Sequence, residues 1–147
     1  MGLFDALSVS GSGLSAERLR MDVTAENLAN AQTTRTANGG PYRRKVVTLQ
    51  EAGGGFDTAL AAASSVQSGS APGGVEVAGI AEDTTPDRMV YDPGHPDADA
   101  QGYVTLPNVN PVTEMVDLIT SSRGYEANVQ ALNASKQMFT RTLDLLR

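Results

Sequence analysis

Apolar residues return every seven positions near the C-terminal end: Leu118, Tyr125, Leu132, Phe139 and Leu146. A second row, three residues earlier, holds Met115, Ser122, Val129, Lys136 and Leu143, so the heptad pattern is interrupted by polar residues at two places. A repeat of seven is the signature of a helix that buries one narrow seam against another helix. Asn110 is a good N-cap, Pro111 suits the first helical position, and no further proline follows. The pattern predicts one helix from about residue 111 to 146, roughly 54 Å long at 1.5 Å per residue. That is more than a small core requires, and the helix is expected to project.

The first thirty residues repeat the pattern less strongly. Leu7, Leu14, Met21 and Leu28 are spaced by seven, while Gly11 and Arg18 weaken the adjacent positions, and Gly11-Ser12-Gly13 is expected to bend or fray the helix. Two heptad helices at opposite ends of one chain pair most simply as an antiparallel coiled coil, which places the middle of the chain as an insertion at the far end. The stripe is narrow, so the order of both helices is expected to depend on neighbouring subunits.

Between the helices the period changes from seven to two. Val46-Val47-Thr48-Leu49, Val75 to Ile80, Arg88 to Tyr91 and Tyr103 to Leu106 read as short strands bounded by Gly, Pro and Asp turns, together a small antiparallel sheet. The segment from Ala52 to Gly74 is mostly Gly, Ala and Ser and reads as a flexible loop. The fold class expected is therefore α+β. Residues 1–34 form the N-terminal helix of an inner domain, 35–110 a β-rich middle domain, and 111–147 the C-terminal helix.

Charge sharpens this division. Residues 1–50 hold six basic and four acidic side chains, residues 51–110 one and nine, and residues 111–147 four and four. The middle, with eight more acids than bases, carries the whole imbalance behind the net charge of −6. Arg43, Arg44 and Lys45 form a basic cluster too short and too poor in aromatics for nucleic acid, and an acidic chain is a poor ligand for phosphate backbones. The chain has no cysteine, which removes disulfides, thiolate metal sites, iron–sulfur clusters and thiol nucleophiles. The opening segment has no basic residue before Arg18 and no long apolar run, so no cleaved secretory signal is expected, and no stretch is long and apolar enough for membrane insertion.

Three segments invite a chemical reading. Gly11-Ser12-Gly13-Leu14-Ser15-Ala16 matches a dinucleotide-binding fingerprint, but no strand precedes it and no acidic residue follows at the required distance. Asp97-Ala98-Asp99-Ala100-Gln101-Gly102 resembles the first half of an EF-hand loop, so a calcium-responsive module using Asp97, Asp99 and Gln101 is the alternative function. Against it, Asn108 stands where the bidentate Glu should be and Pro107 would stop the exiting helix. His95, the only histidine, sits in an Asp, Pro and Gly turn with no partner that would make it catalytic. No nucleophile and base can be paired, and neither enzymatic activity nor a cofactor is expected.

Several stretches resemble one family. Asn27-Leu28-Ala29-Asn30-Ala31-Gln32-Thr33-Thr34, followed by Gly39-Gly40-Pro41-Tyr42-Arg43-Arg44-Lys45, is similar to the signature of bacterial flagellar basal-body rod proteins. Gly74-Val75-Glu76-Val77-Ala78-Gly79-Ile80, the run from Tyr91-Asp92-Pro93-Gly94-His95-Pro96 to Asn110, and Tyr125-Glu126-Ala127-Asn128 agree. The Asn-x-x-Asn element is common to rod and hook proteins, whereas the segments at 39–45 and 92–99 resemble a proximal-rod branch. Gly124 departs from the family, which often has Ser before the motif tyrosine, at a helix-propensity cost on the order of 1 kcal/mol.

The resemblance implies a structural subunit of the proximal rod. Its terminal helices would stack with other copies and other rod proteins into a helical tube that transmits torque and encloses the export channel. It also implies passage through the flagellar type III export apparatus without a cleaved signal, a place in the periplasm-spanning rod, and contacts with basal-body ring or rod-adaptor proteins. The expected assembly interface comprises Leu7, Leu14, Met21, Asn27, Leu28, Asn30, Leu118, Tyr125, Asn128, Leu132, Phe139 and Leu146. The basic Arg43, Arg44 and Lys45 are expected to meet the acidic middle of another subunit, and Asn30 offers the simpler alternative of a helix C-cap.

Overall fold

The computed structural model of the chain describes residues 3–37, 39–52 and 73–145. Leu146 and most of the Ala52 to Gly74 segment lie outside the described residues. The order is α1 (Leu3–Ala29), β1 (Lys45–Glu51), β2 (Val75–Glu82), β3 (Arg88–Tyr91), β4 (Tyr103–Leu106) and α2 (Pro111–Leu145).

Helix α2 begins where its cap residues direct. The Asn110 side-chain oxygen accepts from Val112 N at 3.0 Å, and the Asn110 carbonyl accepts from Glu114 N at 3.0 Å. Helix α1 runs without interruption through Gly11-Ser12-Gly13, against the fraying expected as one outcome there. The reason lies in its surroundings. Ser12 returns its hydroxyl to the Val9 carbonyl, and Gly13 lies where a Cβ would stand 3.0 Å from the Asn128 amide, so its lack of a side chain serves close approach of the two helices. Gly124 does the same from the other helix, since a Cβ there would stand 3.2 Å from Glu17 Cδ. The helices are thus in contact and antiparallel, with Gly13 beside Asn128, Glu17 beside Gly124 and Asn27 beside Glu114.

The four strands form at the expected places but as two sheets. β1 pairs antiparallel with β2, Lys45 opposite Glu82 and Glu51 opposite Val75, with a bulge between Thr48 and Leu49. β3 pairs antiparallel with β4, Tyr91 opposite Tyr103. The two ribbons are not joined edge to edge; between them Asp83 turns the chain by accepting from both the amide and the hydroxyl of Thr85, and Pro86 follows. The β1–β2 ribbon lies along α1: Lys45 meets Asn27 at one end, and Val75 N donates to Ser12 Oγ at the other. A small apolar core of Ala31, Tyr42 and Val109 sits at the junction of α1, the loop after it and the approach to α2.

A buried polar joint between helices and ribbon

Of the largest side chains enclosed completely among the described residues, three are polar and the fourth is Pro107. Glu114 and Ser121 on α2 and Asn27 on α1 each retain 1% exposure. Asn27 sits two residues before the end of α1, facing the first residue of β1, and its amide acts there as a short piece of strand. Its nitrogen donates to the Lys45 carbonyl at 2.8 Å, and its oxygen accepts from the Lys45 amide at 2.9 Å. The same oxygen accepts from the Tyr42 hydroxyl at 2.8 Å, and the nitrogen also donates to Glu114 Oε2 at 3.1 Å. One side chain therefore ties α1, the loop before β1, β1 and α2.

Glu114 is a buried carboxylate, which requires compensation. Arg44 supplies it: Nε donates to Glu114 Oε1 at 2.6 Å, while the two terminal nitrogens lie 3.7 Å from Asp83 and 3.5 Å from Asp117. Burial disfavours the Arg44 charge, but the hydrogen bond to Glu114 and the three carboxylates outweigh that, so its pKa is raised. Asp83 is held below its ordinary value, first by the Thr85 hydroxyl, then by the Thr85 amide and Arg44. Burial, with the charges of Glu26, Glu114 and Glu82 behind it, pushes the Tyr42 phenol from 10.0 up to about 12.

The basic cluster expected to meet another subunit thus finds acids on its own chain. Arg43 approaches Asp87, Arg44 holds Glu114, and Lys45 pairs with Glu26 while its ammonium lies over the Tyr42 ring. Asn27, expected at an assembly interface, is enclosed by contacts within the chain. Asn30 is a cap: its nitrogen donates to the Glu26 carbonyl at 2.9 Å, and its oxygen accepts from the Thr33 hydroxyl.

The helix seam also differs in character from the expected one. Fully buried positions on α2 fall on the row Glu114, Ser121 and Ser135, with Asn128 half-buried among them, and on α1 they include Ala16, Val23 and Thr24. The seam is lined by small and polar side chains. Leu7, Leu14, Met21, Leu28, Leu118, Tyr125 and Leu132 flank it half-buried, and Phe139 is exposed. Arg44 and Glu114 were not among the residues singled out from sequence as a pair, although the spacing of Glu114, Ser121, Asn128 and Ser135 by seven was a readable signal for the buried row.

The acidic loop has a local task. Asp99 accepts from the amides of Gln101 and Tyr103, Asp92 from that of Gly94, and Asp97 from the Thr34 hydroxyl, with Arg35 at 3.8 Å. Its carboxylates shape the turn into β4, and among the described residues no group of three or more acidic or histidine side chains is placed to hold a metal ion. His95 accepts the Asp97 amide on Nδ1, which occupies that nitrogen in the same turn. Among the described residues no helix is long and apolar enough to cross a membrane.

Two terminal helices that join across a polar seam, with β elements inserted between them, make an α+β subunit without a catalytic constellation among the described residues, and comparison with known proteins places its family. Residues 7–35 match the model of the flagella basal body rod protein family, and residues 100–145 match that of the flagellar basal body rod FlgEFG protein C-terminal family. The chain is 51% identical to the flagellar basal-body rod protein FlgC of Bacillus subtilis, covering 99% of each chain. It is 44% identical to that of Borreliella burgdorferi, over 100% of this chain and 99% of the other, and 43% identical to that of Escherichia coli O157:H7, over 99% and 98%. The chain belongs to the FlgC family of flagellar basal-body rod proteins. It is a structural component of the flagellar basal-body rod and not an enzyme.

Proposed function

We propose that the paired helices form the inner, axial layer of the proximal rod, joined in a coiled-coil-like manner, and that the β elements are carried at its outer side. The observation that supports this most is the polarity of the helix seam. A pair closed by Ala, Ser, Gly and a buried ion pair leaves its heptad leucines only half covered, and half-covered apolar rows on long helices are surfaces for further helices. Leu7, Leu14, Met21 and Leu28 on α1, with Leu118, Tyr125, Leu132 and Phe139 on α2, are the residues through which neighbouring copies and other rod proteins would pack. Leu146 extends the same row in sequence.

Such contacts are heterologous. Repeated by a rotation and a rise, they generate an open helical tube instead of a closed ring, a form suited to transmitting torque while enclosing a channel. Asn27, Arg44 and Glu114 have a different task in this reading: they fix the angle between the axial helices and the ribbon. The chain would reach its place through the flagellar type III apparatus, in the periplasm-spanning part of the rod, where ring or rod-adaptor proteins are further neighbours.

The test is mass spectrometry on hook–basal bodies stripped of membrane. The expected result is retention of this chain at a fixed ratio to the other axial proteins, and loss of retention for Leu118→Asp or Leu132→Asp. Absence of the wild-type chain from the stripped bodies would overturn the reading.

A further inference from the structure

Two apolar surfaces lie apart from the helix seam, and each is open. The first is on α2, where Val112, Met115, Val116 and Ile119 are spaced three, four and seven apart and retain 64, 45, 56 and 54% exposure. This stripe lies on the helix face opposite the buried row of Glu114 and Ser121, so α1 cannot cover it. Beyond Ile119 the same face turns polar with Arg123, Glu126 and Gln130. The second is the outer face of the β3–β4 hairpin. Met89 and Tyr91 alternate onto it from β3, and Tyr103 stands opposite Tyr91, the rings meeting edge to face at 5.3 Å. Met89 and Tyr91 are 67 and 64% exposed, while Val104 on the other face is buried.

The charges bordering the two surfaces are opposite. Arg123, one turn past Ile119 on the stripe side, has no ion-pair partner among the described residues. Asp92 and Asp99 border the hairpin face and, among the described residues, meet amides but no cation. We propose that the hairpin face of one copy seats on the α2 stripe of the next copy, Tyr91 and Met89 against Val116 and Ile119, with Arg123 meeting Asp92 and Asp99. This rests on the reading of the chain as a repeating rod subunit and names one of its contacts.

Size argues for repetition as well. A stripe two turns long offers on the order of a few hundred Å², short of the roughly 800 Å² per partner that holds an ordinary stable pair. One such contact does not sustain a dimer in dilute solution. In an array each chain gives its hairpin to one neighbour and receives a hairpin on its stripe from another, so the contact recurs beside the helix packing and adds direction to it. Tyrosine and methionine suit the purpose, since both present large apolar area at modest ordering cost.

The chain has no cysteine, so introduced thiols are unique. Cells lacking their own copy would express full-length Tyr91→Cys and Val116→Cys chains together, and oxidised hook–basal bodies would be resolved under denaturing conditions. The expected result is a cross-linked dimer only when both variants are present, and a ladder beyond dimer when one chain carries both substitutions. If those variants fail to incorporate, Thr105→Cys with Val112→Cys probes the same two faces at other positions. Arg123→Asp should lower the cross-linked yield at least fivefold, and Asp92→Arg in the partner chain should restore it. Incorporated variants that give no crossed product, or that cross-link equally well to themselves, overturn the contact. Loss of the wild-type chain from the bodies would instead overturn the rod reading.

Discussion

Replacing Asn27 by Ala tests whether the polar joint holds the fold together or merely occupies it. The side chain makes four hydrogen bonds: to the Lys45 carbonyl and amide, the Tyr42 hydroxyl and Glu114. Three are between neutral groups, worth about 1 kcal/mol each, and the one to a carboxylate is worth roughly 1.5–3 kcal/mol. Water entering the space left by the amide restores part of this at Lys45, which is only half-buried. Asn27→Ala is therefore expected to cost about 3–5 kcal/mol in urea unfolding followed by far-UV circular dichroism, a large share of the 5–15 kcal/mol typical of a domain. Asn27→Asp supplies the sharper signature. It keeps the acceptor for Tyr42 and the Lys45 amide but sets a second carboxylate where the nitrogen now lies 3.1 Å from Glu114. Two carboxylates so close cannot both stay ionised cheaply, so the folded pair would bind a proton at higher pH than the unfolded one. The variant should regain stability relative to wild type as the pH falls from 7 toward 5. A loss under about 1 kcal/mol for Asn27→Ala, or an Asn27→Asp variant with the wild-type pH profile, would refute the reasoning.

Two further outcomes follow from the same geometry. Tyr42 ionises at 10.0 when free and at about 12 in the fold, so above pH 10 the unfolded chain releases a proton that the folded chain keeps; stability should fall between pH 10 and 12, and Tyr42→Phe should flatten that part of a urea-denaturation profile. Gly102 has φ +84° and lies where a Cβ would stand 2.9 Å from the Tyr91 ring. Gly102→Ala should cost roughly 1–2 kcal/mol for the left-handed backbone alone and disturb the Tyr91–Tyr103 pair, which near-ultraviolet circular dichroism would register; an unchanged tyrosine spectrum and stability would contradict this.

What could be read from the sequence divides by range of interaction. Helix α2 announces itself because its start is set locally, by an Asn side chain and a Pro one residue apart, and the strands because runs such as Val46 to Leu49 and Val75 to Ile80 have few other uses. The split into two sheets was not legible, since it depends on how Asp83 and Pro86 turn the chain. The helix stays unfrayed through Gly11-Ser12-Gly13 for a related reason: local propensity was overruled by the other helix, for which Gly13 is a point of approach.

The joint was hidden more deeply. Arg44 and Glu114 meet across seventy positions of sequence, and nothing in their immediate neighbours distinguishes a buried carboxylate from a solvated one. The heptad leucines mark the flanks of the seam and not its buried centre, for a physical reason. Antiparallel helices that meet at Gly13 and Gly124 approach too closely for leucines between them, so small residues take the seam and the leucines move to its flanks. A subunit that closed its seam with leucine would satisfy itself. One that closes it with Ser, Ala and a buried ion pair keeps its apolar rows half covered, leaving surface that neighbouring helices can bury. The same choice makes the polar joint necessary, because a seam with little apolar area between the helices needs directional bonds to set their register and the angle of the ribbon.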